Sequence, residues 1–158
     1  MKKNIFPIVS ILLLIIYAGY SYQKYRIAPG FSFSNLELIN EKKETSFPIQ
    51  KDGKWKVISF YASWCIDCKR EFPNMKKAME TNLSDFSFIA ITDEGYEKMI
   101  SYKYTNEYPF QFFSLLKDFE NYQIYAIPTT YILNPENEIV YGKIGSVDWQ
   151  SIRSLMKN

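Results

Sequence analysis

The residues of this chain best suited to chemistry are two cysteines, Cys65 and Cys68, in the segment SWCIDCKRE. A thiolate is the nucleophile of thiol–disulfide exchange, and a spacing of two residues lets both sulfur atoms meet on the first turn of a helix. We expect Cys65 to lie at the exposed edge of that turn and Cys68 to point inward. In such an asymmetric pair, Cys65 attacks a substrate disulfide and Cys68 resolves the mixed disulfide.

Three other uses of the cysteine pair have to be weighed. A zinc site needs four ligands, whereas the chain has two cysteines and no histidine. A structural disulfide would close a very short loop and would therefore remove little entropy from the unfolded chain. Two inert core cysteines would seldom fall at this spacing after a buried strand, whereas C-x-x-C near a βαβ pattern is typical of a redox motif. The residues therefore favour a redox pair.

The cysteines must be positioned by the segments on either side of them. Trp55–Ala62 (WKVISFYA) is rich in β-branched and aromatic residues, which predicts a buried central strand. A helix should begin near Cys65 and run to about Glu80, with a kink at Pro73. The free N–H groups and the dipole at the start of a helix favour an anion. The predicted junction would therefore stabilise a cysteine thiolate.

The rest of the chain predicts an α/β domain over residues 27–158. Asp85–Thr92 should be a second buried strand, parallel to the first and joined to it by a right-handed crossover. Asp93 suits the N-cap of a helix from Glu94 to about Tyr104. The other predicted elements are extended pieces in Phe31–Gln50, a strand at Tyr108–Ser114, a short helix at Lys117–Tyr125, a hairpin of Thr129–Leu133 with Glu138–Ile144, and a last helix at Val147–Lys157 capped by Ser146. This order predicts a central mixed β-sheet flanked by helices on both faces.

Residues 1–26 are predicted to be an N-terminal signal-anchor and a short tether. Ile5–Tyr22 carries no charge and follows Lys2 and Lys3. At about 1.5 Å per residue, such a helix comes close to spanning the hydrocarbon core of a bilayer. A cleaved signal peptide and a buried core helix are the alternatives. A basic start of this kind leaves the N-terminus in the cytoplasm and the domain outside, where disulfide chemistry is possible.

Charge and composition exclude several classes of partner. The net charge is +2, but the first 26 residues hold four basic residues and no acid, so the domain itself is slightly acidic. A slightly acidic domain with scattered charges argues against a nucleic-acid partner. The absence of histidine removes the commonest metal ligand and the usual general base. No G-x-G-x-x-G fingerprint is present, so we predict no metal and no cofactor.

Two segments resemble signatures of a known superfamily. Val57–Pro73 (VISFYASWCIDCKREFP) resembles the active-site segment of the thioredoxin superfamily, and most of all its membrane-anchored TlpA/ResA-type thiol–disulfide oxidoreductases of bacteria. Ala126–Val140 (AIPTTYILNPENEIV) resembles the second signature of that family, with Pro128 at the position of its cis-proline. The similarity runs from about Phe31 to Lys157 and implies a thioredoxin-like fold.

The resemblance also implies a role for each matched residue. Cys65 would be the attacking thiol and Cys68 the resolving thiol. Trp64 would pack beside the disulfide and line the substrate surface, with simple core packing as its alternative. Pro128, in cis, would lie against the cysteine pair and leave the Ile127 backbone free to pair with an extended substrate. A trans proline in a loop is the alternative, since cis is the minority state of X–Pro bonds.

Glu71 matches a family glutamate near the cysteine pair. It would shuttle a proton or raise the thiol pKa values, and a solvated ion pair on the helix surface is its alternative. Ser59 stands where thioredoxins carry a buried acid, which leaves Glu71 as the candidate for the proton relay. Asp67 stands where many relatives have proline. Its charge should oppose thiolate formation and give a less acidic Cys65 and a more reducing couple.

These observations predict a thiol–disulfide oxidoreductase with a thioredoxin-like domain. A single N-terminal helix would hold it on the extracytoplasmic face of a bacterial cytoplasmic membrane. It would exchange thiols and disulfides with exported proteins as a reductant, and the family implies a membrane thiol-relay electron donor. A disulfide-donating oxidant with the same cysteines and a non-catalytic, membrane-tethered binding module are the alternatives. The aromatic-rich stretch Tyr96–Phe113 would be either a docking surface or part of the core.

Overall fold

The structure is a computed structural model that describes residues 6–26, 31–46, 49–80, 85–149 and 152. Its α-helices in these ranges are α1 (Phe6–Arg26), α2 (Ile66–Glu80) and α3 (Tyr96–Asn106). Its strands are β1 (Leu38–Ile39), β2 (Thr45–Ser46), β3 (Trp55–Phe60), β4 (Phe86–Thr92), β5 (Gln111–Leu115), β6 (Thr129–Leu133) and β7 (Ile139–Ile144). They form one mixed sheet in the order β2-β1-β5-β4-β3-β6-β7, so the predicted α/β class is confirmed.

The strand before the cysteines lies near the middle of this sheet. β3 pairs in parallel with β4 and antiparallel with β6. Alternate β3 side chains enter the hydrophobic clusters on opposite faces of the sheet, with Val57 on one face and Ile58 and Phe60 on the other. Burial on both faces explains why the segment reads as a nearly continuous apolar run. The predicted strand is confirmed, although it ends at Phe60 rather than Ala62.

The two faces of the sheet are covered in different ways. Residues of α2 and α3 enter one hydrophobic cluster, which also contains both cysteines. The opposite cluster is packed by Phe31, Phe33 and Phe119, which belong to or adjoin short 3₁₀ helices at Phe33–Asn35 and Phe119–Tyr122. Within the described residues, the predicted helix at Lys117–Tyr125 is therefore only a 3₁₀ helix. Helices were predicted on both faces of the sheet, but among the described residues this second face is covered only by short 3₁₀ helices and the loops beside them.

The start of α3 differs from the prediction. Asp93 does not cap this helix; the N-cap is Gly95, whose φ of 89° lies in a region that glycine adopts readily. Asp93 instead accepts a hydrogen bond from the backbone N–H of Phe119 at 3.0 Å. The tertiary contact has displaced the local capping interaction, so α3 begins at Tyr96 rather than at Glu94.

The aromatic stretch Tyr96–Phe113 contributes mainly to the core. Phe72 of α2 packs against Tyr108 and Phe110, with ring centroids 5.3 and 5.7 Å apart. Tyr61 and Tyr102 stack at 5.2 Å beside them. This favours the interpretation of the stretch as core rather than as a docking surface.

Two further predictions concern the N-terminal anchor and the last helix. Among the described residues, no helix combines the length and apolar character needed to cross a membrane, and the predicted anchor stays a prediction. The predicted last helix, Val147–Lys157, falls largely on residues outside the described ranges. Within it, Ile152 is buried and its N–H donates to the carbonyl of Asp148 at 3.2 Å.

Candidate active site

Cys65 and Cys68 form a disulfide where β3 leads into α2, with their Cα atoms 5.3 Å apart. The carbonyl of Cys65 accepts the N–H of Lys69 at 3.1 Å, so Cys65 joins the hydrogen-bond pattern of the helix. The backbone N–H of Cys68 donates to Sγ of Cys65 at 3.1 Å. In the reduced pair, the same N–H is placed to stabilise a thiolate on Cys65.

The access to the two sulfurs differs from the prediction. Cys65 was expected at an exposed edge, yet it is only 6% exposed, while Cys68 is fully covered at 0%. The expected order of accessibility therefore holds, but both cysteines are buried because their side chains pack into the core cluster. Trp64 and Ile66, on either side of Cys65, are 69% and 65% exposed. Simple core packing is thus the wrong interpretation of Trp64.

A second loop supports the site from the neighbouring strand. The Ile127–Pro128 peptide is cis, which confirms the predicted isomer. Ile127 is half-buried and packs against the cluster that contains both cysteines. The carbonyl of Pro128 accepts the N–H of Gly145 at 2.7 Å, which holds this loop against the end of β7. The pairing of Ile127 with a substrate stays a prediction.

Glu71 is buried, at 3% exposure, so its interpretation as a solvated ion pair is wrong. The hydroxyl of Thr130 lies 3.4 Å from both Oε1 of Glu71 and Oγ of the buried Ser59, and it donates to one or the other. Oε2 of Glu71 has no hydrogen-bond partner among the described residues. A carboxyl group in such surroundings is better tolerated neutral than charged.

Burial raises the pKa of Glu71 to about 7 and is the largest effect on it. The Thr130 hydrogen bond and the Lys143 ammonium lower this pKa by less, and the Asp67 carboxylate raises it slightly. Glu71 follows Cys68 by three residues on α2, so both side chains lie on the same side of the helix. A carboxyl group that titrates near neutral pH is suited to proton transfer. The site therefore places a proton donor or acceptor close to the inner thiol.

Asp67 contributes a charge near the pair but not a buried one. Its carboxylate lies 3.4 Å from the guanidinium of Arg70, and both side chains are well exposed. Solvent screens such a charge, so its effect on a Cys65 thiolate should be modest.

The site contains a contact that was not predicted from the sequence, between Glu94 and Ser63. Glu94 accepts hydrogen bonds from the backbone N–H and, at 2.9 Å, from the hydroxyl of Ser63, two residues before Cys65. Glu94 follows β4, and Ser63 follows the parallel strand β3. The carboxyl ends of neighbouring parallel strands meet at one edge of a sheet, which was the available signal.

The part of the chain that the structure describes holds no group of three or more histidine, cysteine or acidic residues arranged to bind a metal ion. The chemistry of the described site is that of the disulfide, the buried carboxyl group and the exposed apolar residues beside Cys65.

Comparison with known sequences identifies similar proteins along most of the chain. A sequence model of the AhpC/TSA family matches residues 26–142. The thiol-disulfide oxidoreductase ResA of Bacillus subtilis is 26% identical over 166 residues, which cover 98% of this chain and 93% of that protein. ResA of Oceanobacillus iheyensis is 28% identical over 157 residues, covering 87% of this chain and 80% of the relative.

Solved structures show the same fold. StoA from Bacillus subtilis superposes with a TM-score of 0.59 at 20% identity, covering 76% of this chain and 94% of that structure. A thiol-disulfide isomerase from Corynebacterium glutamicum superposes with a TM-score of 0.66 at 14% identity, covering 81% and 95%. At these identities the likeness concerns the fold, which is thioredoxin-like.

Proposed function

The chain belongs to the AhpC/TSA family and is a thioredoxin-like thiol–disulfide oxidoreductase, and we propose that it acts as a reductant of exported proteins through Cys65 and Cys68. The observation that carries the direction is the buried carboxyl group of Glu71 on the same side of α2 as Cys68. A strong oxidant stabilises its reduced form as a thiolate. The Asp67 carboxylate, and Glu71 when it is ionised, oppose that thiolate, which favours a more reducing couple.

The reaction begins with the reduced pair. The thiolate of Cys65 attacks one sulfur of a substrate disulfide, the other substrate sulfur leaves as a thiolate, and a mixed disulfide forms. Cys68 then gives its proton to the Glu71 carboxylate and attacks Sγ of Cys65, which releases the second substrate thiolate. Two electrons pass from the cysteine pair to the substrate, and the enzyme is left as a disulfide. A dithiol donor must reduce it again, and we assign that role to a membrane thiol relay.

The substrate would lie over Cys65, which is the less covered of the two cysteines. Trp64 offers an exposed aromatic face next to Cys65. Ile127 and Pro128 lie in the loop that packs against the hydrophobic cluster containing both cysteines. An extended substrate segment pairing with the Ile127 backbone would bring its own cysteine towards Cys65.

We further propose that residues 1–26 hold the domain at the outer face of a bacterial cytoplasmic membrane. The apolar side chains along the middle of α1 are all at least 50% exposed: Val9, Ile11, Leu12, Leu13, Leu14, Ile15, Ile16 and Tyr17. A run of exposed apolar side chains of this kind is well accommodated by an apolar environment such as lipid. Retention of the protein in washed membranes, and its release when residues 1–26 are deleted, would support the tether. Equal partition of the two proteins into the supernatant would rule it out.

The direction of the reaction is tested by the reduction potential of the Cys65–Cys68 couple, equilibrated against thiol buffers. A value near roughly −270 mV, as in thioredoxin, is expected of a reductant, whereas a value near roughly −120 mV would make the protein a disulfide donor. The double variant Cys65→Ser/Cys68→Ser is the control and should show no redox transition. If the natural pair failed to cycle, a non-catalytic binding module would replace the enzyme.

A further inference from the structure

The sheet register places Lys143 of β7 on the same face of the sheet as the buried Glu71, one strand beyond Thr130. Thr130 of β6 is the direct antiparallel partner of Lys143. Directly opposed residues of an antiparallel pair point to the same face of the sheet. The Thr130 hydroxyl reaches Glu71 on that face, so the Lys143 side chain starts from the same face, one strand further out.

β7 is the outermost strand of the sheet on this side, and Lys143 is half-buried there. A lysine in this position can keep its aliphatic stem against the protein and still carry a hydrated charge. The Lys143 ammonium can therefore attract an ionised Glu71 carboxylate while it stays partly hydrated.

The other charged and titratable groups facing Glu71 can be assigned by element. On α2 they are the exposed Asp67 and the inner cysteine, Cys68. On β7, Tyr141 lies on the same face as Lys143, opposite Ile132, and it is half-buried. Asp148 acts on Tyr141 from beyond β7. Lys143 is the cation whose charge lowers the pKa of Glu71, and Asp67 is the anion that raises it.

The hydrogen bonding of Glu71 is incomplete, which makes a nearby cation important for its ionised form. When Glu71 is ionised, its Oε1 can accept from Thr130, but Oε2 has no hydrogen-bond partner among the described residues. An ionised, buried carboxylate with one unsatisfied oxygen is unfavourable unless a nearby opposite charge compensates it.

We propose that Lys143 is a positioning residue for proton transfer, whose ammonium group compensates the ionised Glu71 carboxylate and so keeps Glu71 available as the base for the Cys68 thiol. This inference rests on the proposed role of Glu71. In the step concerned, the Cys68 S–H proton moves to the Glu71 carboxylate, the Cys68 thiolate attacks Sγ of Cys65, and the substrate sulfur leaves as a thiolate. The proton on Glu71 then passes to that thiolate or to solvent, and the ammonium of Lys143 keeps its own protons throughout.

The test uses the full-length chain in detergent with three variants of surface charge. Lys143→Met removes the charge and keeps most of the length, Lys143→Arg keeps the charge, and Lys42→Met removes one exposed charge from the β1–β2 turn as the control. Carbon-13 NMR of the Glu71 carboxyl group follows its titration in the oxidised protein. Stopped-flow oxidation of the reduced protein by oxidised glutathione gives the pH profile of exchange.

We expect Lys143→Met to move the titration of Glu71 upward by about half a pH unit or more, and to slow exchange several-fold at neutral pH. Lys143→Arg and Lys42→Met should behave as the natural protein. In the Glu71→Gln background, Lys143→Met should change neither the rate nor its pH profile. That dependence on Glu71 separates a positioning role from a structural one.

Three outcomes would overturn the role of Lys143 alone. The Glu71 titration could be unmoved in Lys143→Met, it could move without any change in exchange, or exchange could slow equally in the Glu71→Gln background. If Glu71→Gln itself exchanges at the natural rate at every pH, the proposed base fails and this inference fails with it. The reduction potential of the pair is measured separately, so the proposed direction of the reaction is judged on its own.

Discussion

Ser63 donates two hydrogen bonds to the carboxylate of Glu94, one from its backbone N–H and one of 2.9 Å from its hydroxyl. The two residues are 31 positions apart in the chain. The Glu94 side chain is only 8% exposed and also lies 3.4 Å from the ammonium of Lys98. This contact ties the segment just before Cys65 to the end of the neighbouring strand.

Replacing Glu94 should therefore affect both stability and exchange. In Glu94→Ala, the Ser63 N–H and hydroxyl lose their acceptor in a partly buried loop, at an expected cost of about 1–3 kcal/mol in the free energy of unfolding. Exchange with oxidised glutathione should slow, because the loop that leads into Cys65 is less firmly held. The matched control is Glu97→Ala, whose side chain is highly exposed and should change stability by no more than about 0.5 kcal/mol. Equal urea midpoints for the two variants would contradict the prediction.

The raised pKa of Glu71 should make stability depend on pH. The group titrates near 4.5 when unperturbed and at about 7 in the folded protein. Between these values the folded state holds a proton that the unfolded state has lost. Stability should therefore fall as pH rises from about 4.5 to about 7, by roughly 3 kcal/mol in total, and this contribution should be flat above pH 7.

Glu71→Gln should remove that slope from urea unfolding of the oxidised protein. The amide cannot ionise, so the free energy of unfolding would no longer fall across this pH window on account of residue 71. Glu80→Gln, at the exposed end of the same helix, should keep the natural slope. An unchanged slope in Glu71→Gln would mean that the carboxyl group titrates at its ordinary pKa.

The different burial of the two cysteines predicts different single variants. Cys68→Ser should accumulate a mixed disulfide between Cys65 and oxidised glutathione, because the resolving thiol is gone. Cys65→Ser should accumulate far less, because Cys68 is fully covered. Intact-protein mass spectrometry before and after a thiol reductant measures both adducts. Equal trapping by the two variants would contradict the assignment of Cys65 as the attacking thiol.

Asp67 should raise the pKa of the Cys65 thiol slightly. Asp67→Asn removes the charge alone, and Asp67→Pro removes the charge together with the side chain. Both should lower the pKa of the Cys65 thiol, because the neighbouring anion is gone. Thiolate absorbance in the ultraviolet follows the titration, and high salt should reduce the difference. A pKa that stays the same or rises in both variants would refute the effect.

The aromatic core beneath α2 should carry much of the stability of the domain. Phe72 is fully buried against Tyr108 and Phe110, and Phe72→Ala should lower the free energy of unfolding by about 3–5 kcal/mol. The matched control is Tyr104, an aromatic residue on α3 that is well exposed. Tyr104→Ala should change the free energy of unfolding by no more than about 0.5 kcal/mol. Comparable losses in the two variants, measured by urea unfolding, would be inconsistent with the packing described.

Local sequence signals predicted the elements that hold the site. The β-branched and aromatic run Trp55–Phe60 predicts a strand because such residues suit a sheet buried on both faces. The spacing of Cys65 and Cys68 after that strand predicts a redox pair because the chemistry needs both sulfurs on one helical turn. These features depend on residues close together in the chain, so the sequence by itself determined them.

The tertiary structure decided what surrounds those residues. Asp93 looks like a helix cap in the sequence, but a distant N–H at Phe119 engages it. Glu71 looks solvated among charged neighbours on α2, yet it faces Thr130 on β6 and is buried. Burial, hydrogen-bond partners and pKa values depend on contacts between strands and helices that are remote in the chain. No local pattern of residue types specifies those contacts, and therefore only the folded structure revealed the environment of Glu71 and the tie between Ser63 and Glu94.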